Sequence, residues 1–203
     1  MDIYTIGHST YNIDYFIELL KRNNINCIID VRSTPYSKYG PQYNRETLKK
    51  TLNGIGIYYI FMGKEFGARR DNKELYAKEG YLDFEKTRFD QDFKDGVVRV
   101  KNGIGKGYRI AFMCTEKDPF DCHRCILVAR EFKDMGLDVK NILSDGSFIT
   151  QKDIETRLLQ KYFPNRNQMT LFNLKNTSEE KLLKDAYKLR NSEIGYKING
   201  NED

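Results

Sequence analysis

The chain predicts a single α/β domain, built on a mostly parallel sheet of about five strands with helices on both faces. Three observations carry that expectation. Short apolar runs alternate with amphipathic stretches, the pattern of strands joined by helical crossovers. The runs at Cys27-Ile28-Ile29 and Ile110-Ala111-Phe112-Met113 are continuously apolar, as strands covered on both faces are. Polar clusters follow the apolar runs, which places them along one edge of the sheet, where open α/β sheets keep their ligands.

In chain order, residues 3–6 form the first strand and lead into Gly7-His8-Ser9-Thr10. Asn12 caps a helix whose apolar stripe is Ile13, Phe16, Ile17 and Leu20, stopped by Asn23-Asn24. The second strand ends in Asp30-Val31-Arg32-Ser33, and a proline-containing loop runs to Asn44. Residues 45–52 make a helix closed by Asn53-Gly54. Residues 57–61 are the third strand, followed by Met62-Gly63-Lys64 and a charged insertion to about Gly80. Phe89, Phe93, Val97 and Val100 recur at helical spacing, predicting one amphipathic helix over residues 83–101.

Gly103-Ile104-Gly105-Lys106-Gly107 precedes a strand, so it reads as a helix stop and turn and not as a phosphate loop. Residues 110–113 are the fourth strand, and a helix follows Cys122-His123-Arg124. Residues 139–143 are the fifth strand, ended by Ser144-Asp145-Gly146-Ser147, and Thr150 caps a helix to about Tyr162. The domain is thus residues 1–163. Residues 164–203 form a C-terminal tail, with a short charged helix over 177–190 and a capping box from Thr177 to Glu180.

Bulk properties exclude some classes. No apolar run is long enough to cross a bilayer and no signal-peptide pattern opens the chain, so no membrane role is expected. Four irregularly spaced cysteines in 203 residues suit a reduced, cytoplasmic protein better than a disulfide scaffold. The net charge of +5 is compatible with an anionic partner such as nucleic acid, without identifying one.

The candidate site gathers at the strand ends. The only two histidines, His8 and His123, both sit there and suit proton transfer. Cys122 lies at a helix start beside Arg124, where helix amides and a cation favour a thiolate nucleophile. Cys114 and Glu116 leave one strand two residues apart and face the same way if the strand geometry persists. Asp30 completes the catalytic candidates. Ser9, Arg32, Ser33, Lys64 and Arg124 could bind an anion. Structural alternatives stand beside these roles: histidines that tie loops together, Cys125 packed on the sheet, and Glu116 paired with Arg124 or Lys64.

No cofactor is required by this pattern. Cys114, Cys122 and Cys125 with His123 or His8 could supply four ligands to a divalent metal. Seven residues followed by Cys-His-Arg-Cys is not a zinc ribbon or finger spacing, so thiol or acid–base chemistry ranks first. In the tail, Gln168-Met169-Thr170-Leu171-Phe172 resembles the bacterial sliding-clamp-binding peptide, with Gln168, Leu171 and Phe172 as its anchors. The alternative is that its apolar residues pack back on the domain.

Taken together, Ile3-Tyr4-Thr5-Ile6-Gly7-His8-Ser9, Asp30 to Ser37, Gly63 and Gly67, Cys114-Thr115-Glu116, Cys122-His123-Arg124 and Ser144-Asp145-Gly146 resemble the prokaryotic domain-of-unknown-function family 488. The resemblance spans about residues 1–163 and implies a single α/β domain with no established general activity. The leading expectation is an enzyme, hydrolase- or lyase-like, acting on a nucleic acid or nucleotide-like anion in DNA maintenance, delivered by clamp tethering. The alternatives are a non-enzymatic DNA- or protein-binding module and, more distantly, thiol chemistry resembling rhodaneses and cysteine phosphatases. The chain lacks the short Cys-to-Arg loop of that group.

Overall fold

A computed structural model of the chain describes residues 1–166 and 178–198. Its frame is one six-stranded sheet in the order β3-β2-β4-β1-β5-β6. The strands are β1 (Asp2–Gly7), β2 (Cys27–Asp30), β3 (Tyr58–Phe61), β4 (Ile110–Cys114), β5 (Asp138–Ile142) and β6 (Phe148–Thr150). The first five are parallel to their neighbours, and β6 runs antiparallel to β5. The helices are α1 (Ile13–Arg22), α2 (Arg45–Gly54), α3 (Gly63–Phe66), α4 (Phe84–Phe89), α5 (Gln91–Gly105), α6 (Arg130–Asp134), α7 (Gln151–Tyr162) and α8 (Glu179–Ile194).

Period-2 alternation along the strands divides the core in two. Ile28, Ala111 and Met113 face one side, where Phe16, Leu19 and Leu20 of α1 and Leu48 and Leu52 of α2 cover them. Cys27, Ile29, Ile110, Phe112 and Cys114 face the other side, against Phe93, Val97 and Val100 of α5 and Phe132 of α6. Both faces of the central strands are therefore buried, as their unbroken apolar character requires. The alternation also aims Cys114 at the layer that contains the helix after Cys122.

Four features differ from the sequence expectation. A sixth strand forms because the turn at residues 143–147 closes a hairpin, with Gly146 at φ +86° and Leu143 N–H bonded to the Ser147 carbonyl; three residues carry too little pattern to announce it. The helix expected over residues 83–101 is two helices, because Asp90 is extended at ψ 144° and its carbonyl accepts from the Lys94 N–H. Phe89 consequently lies outside the buried stripe, 73% exposed. The helix after His123 opens as a π-helix over Arg124–Ala129, in which the Arg130 N–H reaches the Cys125 carbonyl, a widening often found at functional sites.

The fourth difference concerns the C-terminal segment. Its helix α8 is capped by Ser178, whose side chain accepts from the Lys181 N–H; Thr177, the expected cap, lies outside the described residues. The helix is docked: Leu182, Ala186 and Tyr187 are buried. The Asn191 side chain accepts from Phe84 N–H and donates to the Leu82 carbonyl, each at 2.8 Å. A charged helix thus joins the core through one short apolar stripe. Gln168, Leu171 and Phe172 lie outside the described residues.

β1 ends against the loop after β4 with no room for a side chain. A Cβ on Gly7 would stand 1.9 Å from the Glu116 carbonyl oxygen, closer than any real contact. Gly7→Ala is expected to destabilise the protein by about 3 kcal/mol in urea unfolding, the overpacking cost of a rigid site. Gly105→Ala, where an added Cβ meets nothing within 4 Å, should change stability by no more than about 0.5 kcal/mol or raise it slightly.

Candidate functional site

The strand order creates a crevice. From β1 the chain moves through α1 to β2 and through α2 to β3, over one face of the sheet. It then returns over the other face, through α5 to β4 and through α6 to β5. The loops after β1 and β2 therefore leave to one side, and the loop after β4, lying between them, leaves to the other. Such a switch point opens beyond the C-terminal strand ends. His8, Arg32 and Cys114 come from these three ends.

The β2 side is a saturated polar network. Arg32 Nε donates to Asp30 Oδ1 at 2.9 Å and Nη2 donates to Oδ2 at 2.6 Å. Nη2 also donates to the Tyr43 carbonyl at 2.8 Å, and Nη1 contacts His8 Nε2 at 3.1 Å. Tyr59 adds its hydroxyl to Asp30 Oδ2 at 2.5 Å. Four of the five guanidinium N–H groups are thus spent within the protein. The same contacts settle the tautomer of His8: its Nδ1–H donates to the Ser9 carbonyl at 2.8 Å, so Nε2 accepts from Arg32. The ring stacks on Tyr43 at 4.0 Å. Burial, and then the Arg32 charge, push the His8 pKa down to about 4.

The β4 side holds the reactive groups. Glu116 Oε2 lies 2.9 Å from Cys114 Sγ and 3.1 Å from Cys122 Sγ. His123 Nδ1 lies 3.8 Å and 3.9 Å from the same two sulfurs, while its Nε2 contacts the Val31 carbonyl at 3.0 Å. A carbonyl only accepts, so Nε2 carries a proton and Nδ1 faces the thiols. Burial raises the Cys114 thiol well above its ordinary pKa, with Cys122 adding to the effect. Burial also opposes ionisation of Cys122, but the Cys114 hydrogen bond, Arg124 and His123 outweigh it and hold that thiol below its ordinary value.

A short 3-10 turn, Pro119–Asp121, folds the connecting loop back so that the thiols of Cys114 and Cys122, eight positions apart in the chain, meet. Asp118 caps it by accepting from the Phe120 N–H at 2.9 Å, with Pro119 at its first position. Cys122 is extended, and its carbonyl accepts from Cys125 and Ile126 N–H groups as the helix begins. Arg124 fixes the other end: Nη1 donates to the Glu116 carbonyl at 2.6 Å and Nη2 to the Lys117 carbonyl at 3.3 Å.

Above the sulfurs is an open cavity of about 270 Å³. Arg32, Ser33, Cys114, Glu116, Cys122 and His123 line it, so six expected site residues come together. His8 and Asp30 stand behind Arg32 and outside the lining. Ser9, at φ +45°, uses its N–H on the Thr115 carbonyl. Arg124 is fully buried and grips loop carbonyls; it does not face the cavity, so it cannot hold a ligand there. Lys64 is not brought to the site either: its ammonium pairs with Asp92 at 2.9 Å. Glu116 pairs with neither cation, since its carboxylate faces the thiols.

Other lining residues were not among the expected site residues. Thr34, Ala68, Thr115 and Asp121 complete the wall, and Ile194 and Tyr196 reach it from the end of α8. Arg69 lies over the Tyr196 ring at 4.5 Å, and its own N–H bonds Ser33 Oγ at 2.8 Å. Cys125 is absent from the cluster, its thiol donating to Gln151 Oε1 at 3.3 Å. All four cysteines are free and buried. No described helix is long and apolar enough to cross a membrane.

The chain matches the family model described as Domain of unknown function DUF488 over residues 12–130. The protein belongs to that family. The matched stretch contains both walls of the cavity from Arg32 to His123, and His8 lies just before it. No curated protein and no solved structure matches the chain.

The neutral, buried state of His8 sets a pH response. Its folded pKa of about 4 lies below the ordinary 6.5. As pH falls through 6.5, the unfolded chain takes up a proton that the native site refuses. The His8 contribution is therefore full above about pH 6.5, declines by up to about 1.4 kcal/mol per pH unit towards pH 4, and levels off below it. Urea unfolding of wild type and His8→Gln across pH 7.5 to 4 should show a steeper decline for the wild type. Parallel curves would contradict the assignment.

Proposed function

We propose that this protein is an enzyme acting on a nucleotide-like anionic group, free or within a nucleic acid, by hydrolase- or lyase-type chemistry. One observation carries the reading. Two thiols, an imidazole and a carboxylate converge on the wall of a cavity open to solvent, and of these only His123 also ties a loop, through the Val31 carbonyl. Most of the loop-holding contacts come from Arg32 with Asp30 and from Arg124. Glu116, at the solvent side of the cluster, is the proton-moving group. The sulfur–imidazole floor beneath it is the reactive element. Arg69 and the remaining N–H of Arg32 supply positive charge for the anion.

The nucleotide part of the reading rests on the loop that leaves the cavity at Thr34. It exposes Tyr36 at 55% and Tyr39 at 84%, with Lys38 over the Tyr39 ring at 5.1 Å. Exposed aromatics beside a cation form a stacking platform for bases. The rhodanese- and phosphatase-like reading draws no support from the geometry, because Arg124 grips carbonyls on the far side of the thiols. A non-enzymatic binding module is the second reading. The Tyr36–Tyr39 loop serves it equally well, and the convergence of Cys114, Glu116, Cys122 and His123 is what it leaves unused.

Nucleotides and short single-stranded oligonucleotides are the substrates to assay. Arg69→Ala should weaken binding about 10-fold and flatten its salt dependence, and Tyr39→Ala should weaken it through lost stacking, by about 1–3 kcal/mol. Glu116→Gln should lower turnover at least about 100-fold while leaving the thermal midpoint unchanged. Turnover that survives both Glu116→Gln and His123→Gln would end the enzyme reading at this site. Binding without turnover in the wild type favours the module.

The proposed delivery to DNA depends on residues 168–172, and it is tested separately. Purified sliding clamp should retain the full-length chain in a pull-down, and Leu171→Ala with Phe172→Ala should abolish retention.

A further inference from the structure

We propose that Cys114, Cys122 and His123 hold one zinc-class divalent ion, bound through Sγ, Sγ and Nδ1, with a fourth position open to the cavity. The inference rests on the reading of this cluster as the reaction centre and names what the sulfur–imidazole floor is for. The three donor atoms lie within 4.8 Å of one another. A tetrahedral ion with Zn–S and Zn–N bonds of about 2.3 and 2.0 Å sets its donors about 3.5–3.8 Å apart. His123 Nδ1 stands 3.8 and 3.9 Å from the two sulfurs. Small adjustments close the remaining gap.

The orientation of His123 is the second, independent observation. Its Nε2–H is held by the Val31 carbonyl at 3.0 Å. That is the outer contact by which ligating histidines fix their tautomer and aim the other nitrogen. The nitrogen so aimed has no partner but the two sulfurs. A ring there to tie loops together would need only the Val31 contact.

Charge argues the same way. On binding, each thiol loses its proton to solvent and forms a sulfur–metal bond, so two thiolates offset the double charge of the ion. The neutral unit suits a site where Cys114 and Cys122 are 3% and 1% exposed, because a lone buried charge is costly. Two soft sulfurs and one imidazole select zinc-class ions over magnesium or calcium. Three protein ligands with an open position are the mark of a catalytic and not a structural site. Glu116 Oε2, about equally close to both sulfurs at 2.9 and 3.1 Å, is the carboxylate beside that position, placed to take a proton from a bound water. Two donors that the sequence spacing offered are excluded: Cys125 is engaged with Gln151, and His8 with Arg32.

The test uses the reduced, full-length protein, stripped with a chelator and titrated with Co²⁺ and then Zn²⁺. The expected result is about one Co²⁺ per chain, with tetrahedral d–d bands and thiolate-to-cobalt charge transfer that Zn²⁺ abolishes, and a higher thermal midpoint with either ion. Cys114→Ser and His123→Gln should each weaken Co²⁺ binding at least about 100-fold, and Cys125→Ser should retain it. Should those variants not fold, the wild type still decides: bound Zn²⁺ should protect Cys114 and Cys122 from alkylation. The proposal is overturned if the reduced chain takes up no ion. It is equally overturned if folded variants bind as tightly as the wild type, or if Zn²⁺ leaves alkylation unchanged. None of these readouts needs substrate. Turnover in a chain that binds no ion would sink this inference alone, and an ion bound without turnover would sink only the enzyme reading.

Discussion

One buried guanidinium holds the loop on which the site depends. Arg124 is inaccessible to solvent and donates to the carbonyls of Glu116 and Lys117. Those carbonyls belong to the segment that must turn back after β4 for Cys114 and Cys122 to meet. The planar fork of arginine can grip two successive carbonyls at once, which a lysine ammonium would do less rigidly. The arrangement has a cost. Arg124 Nε is buried without a partner, a penalty of about 1–3 kcal/mol for such a group. Gly7 makes the grip feasible, because any side chain there would collide with the Glu116 carbonyl.

A second buried guanidinium does the corresponding work on the opposite wall. Arg32 is bonded through both ends of its fork to Asp30 and carries His8 against it. Breaking a buried pair of this kind costs about 3–5 kcal/mol, because the survivor is left as an uncompensated charge. The two arginines therefore divide the polar residues of the strand ends into two sets. His8, Asp30, Tyr59 and Arg124 stabilise loops, and Cys114, Glu116, Cys122 and His123 are left facing the cavity. The proposed chemistry is assigned to the second set because the side chains of the first are turned to protein contacts.

The cavity also draws on parts of the chain remote from the strand ends. Ile194 and Tyr196 follow α8, which is anchored through Arg190 Nε to the Phe120 carbonyl at 3.0 Å and through Asn191 to the start of α4. The same Phe120 lies in the turn between Glu116 and Cys122. Docking of the C-terminal helix and the shape of the site are thus linked through one loop. Arg69, stacked on Tyr196, places a long cationic side chain at the mouth, and an exposed cation carries no desolvation cost of the kind a buried charge does.

The sequence by itself determined the layered α/β architecture and the edge of the sheet at which the candidate site residues gather. Apolar runs and helical stripes are local, additive signals, and the crossover rule turns them into a parallel sheet with few alternatives. It also determined that Cys114, Glu116, Cys122 and His123 belong together, because they leave one strand and enter one helix. Tertiary structure decided the division of roles. Whether a guanidinium faces a ligand or a carbonyl depends on neighbours far away in the chain, which is why Arg32 and Arg124 looked alike and Lys64 looked closer than it is. The same dependence hid Tyr196 and the docked α8, whose contribution is a place in space and not a pattern of residues. His8 is the sharpest case: the residue type suits proton transfer, and burial against Arg32 and Tyr43 makes it a neutral support.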